Sequence, residues 1–145
     1  MFQGTATLTL DAKGRFAIPA LHREALARTG EEELTITAHP DGCLLLYSRS
    51  VWQQVQEKLM RSTIPDAQRL KRILNGNARN DTVDSAGRLL IAPELRKFAR
   101  LEKRIVMAGM GNRFELWDEA TWERQNDLSV QMPSLMPSSL EDLLQ

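Results

Sequence analysis

The chain has 145 residues, 42% hydrophobic and 26% charged, which predicts a soluble globular protein. Nineteen basic and nineteen acidic residues cancel to a net charge of zero, which argues mildly against nucleic acid as a partner on bulk charge alone. A single cysteine, Cys43, excludes an internal disulfide and argues against a Cys-based metal site, and no apolar run approaches the roughly 18 residues that span a bilayer.

Residues 2–10 alternate, with Phe2, Ala6, Leu8 and Leu10 on one side and threonines between them, which predicts a half-buried strand. The opening Met1-Phe2-Gln3-Gly4-Thr5 lacks a basic-then-apolar secretory pattern, so a cytoplasmic location is expected. Asp11-Ala12-Lys13-Gly14 carries turn chemistry, and Arg15-Phe16-Ala17-Ile18 resumes extended. Pro19 suits the first turn of a helix that Leu21, Ala25 and Leu26 mark to about Arg28. Strands are expected over 34–37 and 43–47, joined at His39-Pro40-Asp41-Gly42. Ser48 or Ser50 is the expected cap of a helix carrying Val51, Val55 and Leu59; Pro65 opens another with Ala67, Leu70, Ile73 and Leu74 inward, stopped at Asn75-Gly76. Residues 61–79 hold Arg61, Arg69, Lys71, Arg72 and Arg79 against Asp66 alone, so the neutral chain can still present a basic face.

The plan then repeats. Asp84-Ser85-Ala86-Gly87-Arg88 restates Asp11 to Arg15 73 residues later; Leu89 matches Phe16, Ile91 matches Ile18, and Arg96 matches Arg23. Pro93 opens a helix with Leu95, Phe98 and Leu101 spaced for burial, and the strand before the second motif looks weak because Asp81 stands where Leu8 did. Further on the offset is 70, pairing Tyr47 with Trp117 and Trp52 with Trp122, so three extra residues are expected in the first half around 29–33. Asp118 is the expected cap of the last helix. Each half is near the size at which a lone core is marginal, so the halves should share one core. After Asp127, two prolines and four serines predict a flexible tail over 128–145, whose last six residues could dock as one helical turn.

Catalytic signals are poor. His22 and His39 lie in no metal-ligand spacing, and His22, aligned with Leu95, reads as a packing residue. Gly109-Met110-Gly111-Asn112 aligns with the earlier turn and reads as a hairpin rather than a phosphate loop. The motif turns admit two readings. In one, Asp11 accepts turn amides and pairs with Arg15 while Gly14 relieves the backbone, and nothing else is implied. In the other, a guanidinium held out from a rigid turn takes phosphate or a guanine edge.

Leu10 through Pro19 resembles the looped-hinge strand pair of AbrB/SpoVT-type DNA-binding domains. Two such units in tandem, with Gly109-Met110-Gly111-Asn112-Arg113-Phe114-Glu115-Leu116-Trp117-Asp118 in the second, are similar to the bacterial MraZ family over about residues 1–127. The resemblance implies a mixed α/β, mainly β fold in which two AbrB/SpoVT-like, swapped-hairpin-type halves share one pseudo-two-fold, barrel-like core with short helices. The expected divisions are repeat 1 over 5–52, a helical basic connector over 53–80, repeat 2 over 81–124, and the tail. It further implies a nucleoid-associated transcriptional regulator, a ring-shaped homo-oligomer binding repeated double-stranded DNA boxes upstream of the division and cell-wall gene cluster. No enzyme activity, cofactor, metal or membrane partner is implied.

Carried onto this chain, the DNA-contacting residues are Arg15 and Arg88, with Lys13 on phosphate; Asp11, Gly14, Asp84 and Gly87 build the turns. Ala86 stands opposite Lys13, so equal contributions from the two turns are not expected. The alternative is an antitoxin-like protein-interaction module that does not read DNA directly. Cys43, Leu45 and Tyr47 also predict a second apolar sheet face, covered either by a domain or protomer contact or by the helices at 50–74.

Overall fold

In the computed structural model, which describes residues 1–127 and 138–145, the two halves run through the same order of elements. The first has β1 (Thr5–Thr9), β2 (Arg15–Ala17), α1 (Ala20–Ala27), β3 (Glu33–His39), β4 (Cys43–Ser48) and α2 (Arg49–Arg61). A connecting helix α3 (Ala67–Leu74) leads to β5 (Arg79–Thr82), β6 (Arg88–Leu90), α4 (Pro93–Phe98), β7 (Arg104–Gly109), β8 (Phe114–Asp118) and α5 (Glu119–Gln125). A last helix, α6, spans Ser138–Leu144. The tail expected to be flexible thus contains a helix at its end, and its first part, 128–137, lies outside the described residues.

Antiparallel pairing assembles six strands in the order β1-β7-β8-β4-β3-β5, and β2 pairs with β6 in a separate two-stranded ribbon. Exchanging the halves maps this order onto its own reverse. Each half gives its first strand to the other half's hairpin, β1 to β7 and β5 to β3. Neither half therefore completes a sheet alone, and the fold is mixed α/β, mainly sheet, around one core. Phe16 faces Leu89 in the ribbon and Leu45 faces Glu115 between β4 and β8, each opposite its own counterpart. The pseudo-two-fold axis passes through both points.

The ribbon, α1 and α4 close over one sheet face. Phe16, Ile18, Leu89 and Ile91 pack there with Leu44, Leu46, Met107 and Phe114 in a core drawn from both halves. Each such side chain contributes about 1.5–3 kcal/mol by leaving water. On the opposite face Cys43, Leu45, Tyr47 and Trp117 are buried with Trp52, Val51 and Val55 of α2 and Leu74 of α3. Of the two covers considered for that face, the structure shows the helices. Thr37 Oγ1 also donates to the Leu74 carbonyl, fixing the end of α3 there.

Several local expectations change. Leu21 is 59% exposed and His22 takes its place inside at 1%. The His22 ring lies 4.6 Å from that of Phe114, and Nε2–H donates to the Met107 carbonyl at 3.1 Å. A carbonyl only accepts, so this bond fixes the tautomer and satisfies the buried nitrogen. Phe98 is partly exposed, leaving Leu95 as the buried anchor of α4.

Ser50 does not cap α2. Ser48 occupies the N-cap position without a side-chain bond to the helix amides, and the Glu31 carboxylate accepts from the Ser50 amide and hydroxyl at 2.8 and 2.7 Å. The Ser50 hydroxyl, then its amide, hold the Glu31 carboxyl below its ordinary value against the opposing effect of desolvation. Asp118 sits at the N-cap of α5, but its carboxylate accepts from the Glu102 amide instead. The three extra residues are not at 29–33. Two lengthen α1 to 8 residues against 6 in α4, and the registers place the third across the β3–β4 hairpin.

Candidate nucleic-acid interface

The two motif turns are built bond for bond alike. In the first, Asp11 Oδ1 accepts the amides of Lys13 and Arg15, both at 2.9 Å, and Oδ2 accepts Arg15 Nε–H at 2.8 Å. In the second, Asp84 Oδ1 accepts the amides of Ala86 and Arg88 at 2.9 and 2.8 Å, and Oδ2 accepts Arg88 Nε–H at 3.0 Å. Backbone bonds from Gly14 to Asp11 and from Gly87 to Asp84 close the turns. In both carboxylates the largest influence is the arginine's own backbone amide, and the net effect holds the group below its ordinary value.

Each turn is locked by the opposite half. The Ile91 amide donates to the Gly14 carbonyl, and the Ile18 amide donates to the Gly87 carbonyl. Gly14 (φ 85) and Gly87 (φ 76) take the left-handed conformation that glycine adopts without penalty. A Cβ on Gly14 would fall 2.6 Å from the Arg96 guanidinium, and one on Gly87 3.0 Å from that of Arg23. Arg96 donates to the Ile91 carbonyl and Arg23 to the Ile18 carbonyl, so each is a strut beneath the other half's turn. The sequence matched these arginines to each other without revealing that role; its signal is an arginine eight residues after each motif arginine.

Alternation in the ribbon sends Phe16 and Leu89 inward and leaves Arg15, Ala17, Arg88 and Leu90 on the outer face. Arg15 pairs with Leu90 and Ala17 with Arg88, so the two arginines are diagonal neighbours roughly 7–8 Å apart at the backbone. Their side chains are 28% and 38% exposed. Each is oriented through Nε, and among the described residues neither has an acceptor on its two terminal nitrogens. The ribbon therefore carries two aimed guanidinium forks with donors to spare, flanked by the exposed side chains of Ala17 and Leu90.

Lys13 is exposed at the tip of the first turn, and Ala86 holds the same place in the second. The basic residues Arg69, Lys71 and Arg72 are elsewhere, on α3, whose end is tied to the sheet face opposite the ribbon. Among the described residues no three His, Cys, Asp or Glu side chains gather as a metal site, and no helix is long and apolar enough to cross a membrane.

A family model described as "MraZ protein, putative antitoxin-like" matches residues 1–73 and again 74–140. The chain is 49% identical to the "Transcriptional regulator MraZ" of Dechloromonas aromatica (strain RCB), with 99% of each chain covered. It is 47% identical to the protein of that name from Cupriavidus pinatubonensis and 44% to that from Acidovorax sp. (strain JS42), each over 98% of both chains. With the family's unit present twice and these relatives matched over nearly their whole length, the chain belongs to the MraZ family.

Proposed function

We propose that this chain is a sequence-specific DNA-binding transcriptional regulator that presents the β2–β6 ribbon to duplex DNA. The observation that carries the reading is the pair of Asp-oriented guanidinium forks on one outward ribbon face. A major groove admits a two-stranded ribbon, and an arginine fork matches the O6/N7 edge of guanine or a phosphate. Arg15 and Arg88 are the direct contacts and Lys13 is a phosphate contact. Asp11, Gly14, Asp84 and Gly87 hold the turns that aim them. The relatives' shared name, transcriptional regulator, supports the role and assigns no catalytic step.

The finer expectations belong to the same reading. The halves over 5–52 and 81–124 are AbrB/SpoVT-like units of swapped-hairpin type, joined by the connector at 53–80. The strand exchange between halves supports that assignment. The chain acts as a ring-shaped homo-oligomer on repeated boxes upstream of the division and cell-wall gene cluster, in the cytoplasm at the nucleoid. Copies of a two-fork face in a ring would engage repeated boxes together and gain affinity through effective concentration.

The alternative, an antitoxin-like module acting through protein contacts, is favoured by the wording of the family description. Titrating a duplex from upstream of the encoding gene at several salt concentrations separates the two. Phosphate contacts release counterions, so DNA binding must weaken as salt rises. Salt-independent binding would refute the DNA reading.

A further inference from the structure

We infer that Lys97, Arg100 and Lys103, supplied by the second half, form a phosphate-binding groove beside the first motif turn, which holds the DNA backbone flanking the bases that Arg15 meets. The inference rests on the DNA-binding reading above. The groove, of about 900 Å³, has residues 9–12 on one wall and residues 96–97 and 100–103 on the other. Lys97, Arg100 and Lys103 are exposed, and among the described residues their side chains make no ion pair or hydrogen bond. Of the groove's two acids, Asp11 is taken by Arg15, which leaves Glu102 against three unpaired cations.

The pseudo-symmetric groove at the second turn shows that the fold does not require this charge. It measures about 440 Å³, lies between residues 82–85 and the α1–β3 connection, and is lined by Glu31 and Glu32, with Asp84 taken by Arg88 as Asp11 is by Arg15. Its one cation, Arg23, already serves as a strut on the Ile18 carbonyl. The same architecture thus carries opposite sign at its two ends.

A second observation singles out Arg100. It has φ 52, a left-handed conformation that L side chains rarely take, at the turn that ends α4. The connection after α1 uses a glycine, Gly30 (φ 73), for its left-handed residue. Glycine is the residue expected at such a helix exit, and the Arg100 side chain gains no protein bond in return. Backbone strain kept without a local compensation is characteristic of a functional position. Here it holds an unpaired guanidinium at the wall of a groove whose other wall is the first motif turn.

The test compares four forms of the intact chain: wild type, Arg100→Gly, the triple variant Lys97→Gln, Arg100→Gly, Lys103→Gln, and Arg15→Ala. Each is titrated with a duplex from upstream of the encoding gene and with a shuffled duplex of equal length, across a salt series. Arg100→Gly should melt at or above the wild-type temperature, because glycine accepts the backbone angle. It should nevertheless bind both duplexes roughly tenfold more weakly near 0.1 M salt, with the slope of log K against log salt reduced by about 0.9. The triple variant should reduce that slope by up to about 2.7 and leave the ratio between the duplexes unchanged. A folded triple variant with wild-type affinity and slope, while Arg15→Ala loses binding, overturns the groove and leaves the DNA reading standing. A triple variant that loses discrimination between duplexes also overturns it. Wild-type protein that binds neither duplex sinks both claims.

Discussion

The two motif turns share every backbone and carboxylate bond, yet they differ in what surrounds them. The first has Lys13 at its tip and a basic wall beside it; the second has Ala86 and an acidic wall. Duplication copied what the fold needs, namely the Asp-oriented arginine, the left-handed glycine and the strut from the other half. Charge in the surrounding loops is not needed for folding and diverged. Geometry is therefore shared between the turns, whereas affinity should be concentrated at the first.

The comparison breaks most completely at the axis. Phe16 and Leu89 face each other at the centre of the ribbon, so neither turn has a support independent of the other. Phe16→Ala should cost about 3–5 kcal/mol, and denaturation by urea should show one transition rather than separate loss of one half. A smaller effect separates the turns. Gly14→Ala and Gly87→Ala each force an alanine to a positive φ at roughly 1–2 kcal/mol. Gly14→Ala should be the worse, because its Cβ would meet the Arg96 guanidinium at 2.6 Å against 3.0 Å for Arg23 at Gly87. Equal melting temperatures for the two variants would show that the struts give way freely.

How far these contrasts could be read from the sequence depends on the kind of interaction. The motif turns and the hairpins follow from local chemistry, Asp and Gly at fixed offsets between alternating strands, and were legible. Strand partners were not, because a period of two tells which face of β1 is buried but not that β7 lies beside it. The roles of Arg23 and Arg96 depend on that exchange, so they stayed hidden inside ordinary short helices. His22 was legible as a packing residue through its alignment with Leu95, whereas Leu21 was misplaced because an eight-residue helix is too short for periodicity to fix its buried face; the Met107 carbonyl makes the histidine acceptable there. Glu31 caps α2 from outside the helix, which no pattern around Ser50 could show. The basic groove was obscured because residues 80–127 together hold nine acidic and eight basic residues, while the three cations gather in space.

Two finer measurements sharpen the contrast. Ala86→Lys gives the second turn the cation of the first, and it should steepen the salt dependence of DNA binding by about 0.9 in log–log slope. No change would mean that the second turn's tip lies away from phosphate. Protons probe the shared geometry. Asp11 and Asp84 are held below the ordinary value of 3.8, so the unfolded chain takes up protons first as pH falls. Their stabilising contribution is complete above that value and is lost below it, through the lowered folded-state values. Asp11→Asn with Asp84→Asn should flatten stability against pH across that acid window, as read by melting temperature; an unaltered acid limb would deny the turns this role.

The central claim is that two aimed guanidinium forks meet DNA, and it is tested most directly by removing both. Arg15→Ala with Arg88→Ala, confirmed as folded by circular dichroism, should be titrated beside wild type with the upstream duplex across a salt series. The account predicts loss of affinity on the order of a hundredfold or more, since each bidentate contact is worth about 1–3 kcal/mol. A folded double variant that binds as tightly as wild type, with the same salt dependence, would contradict it.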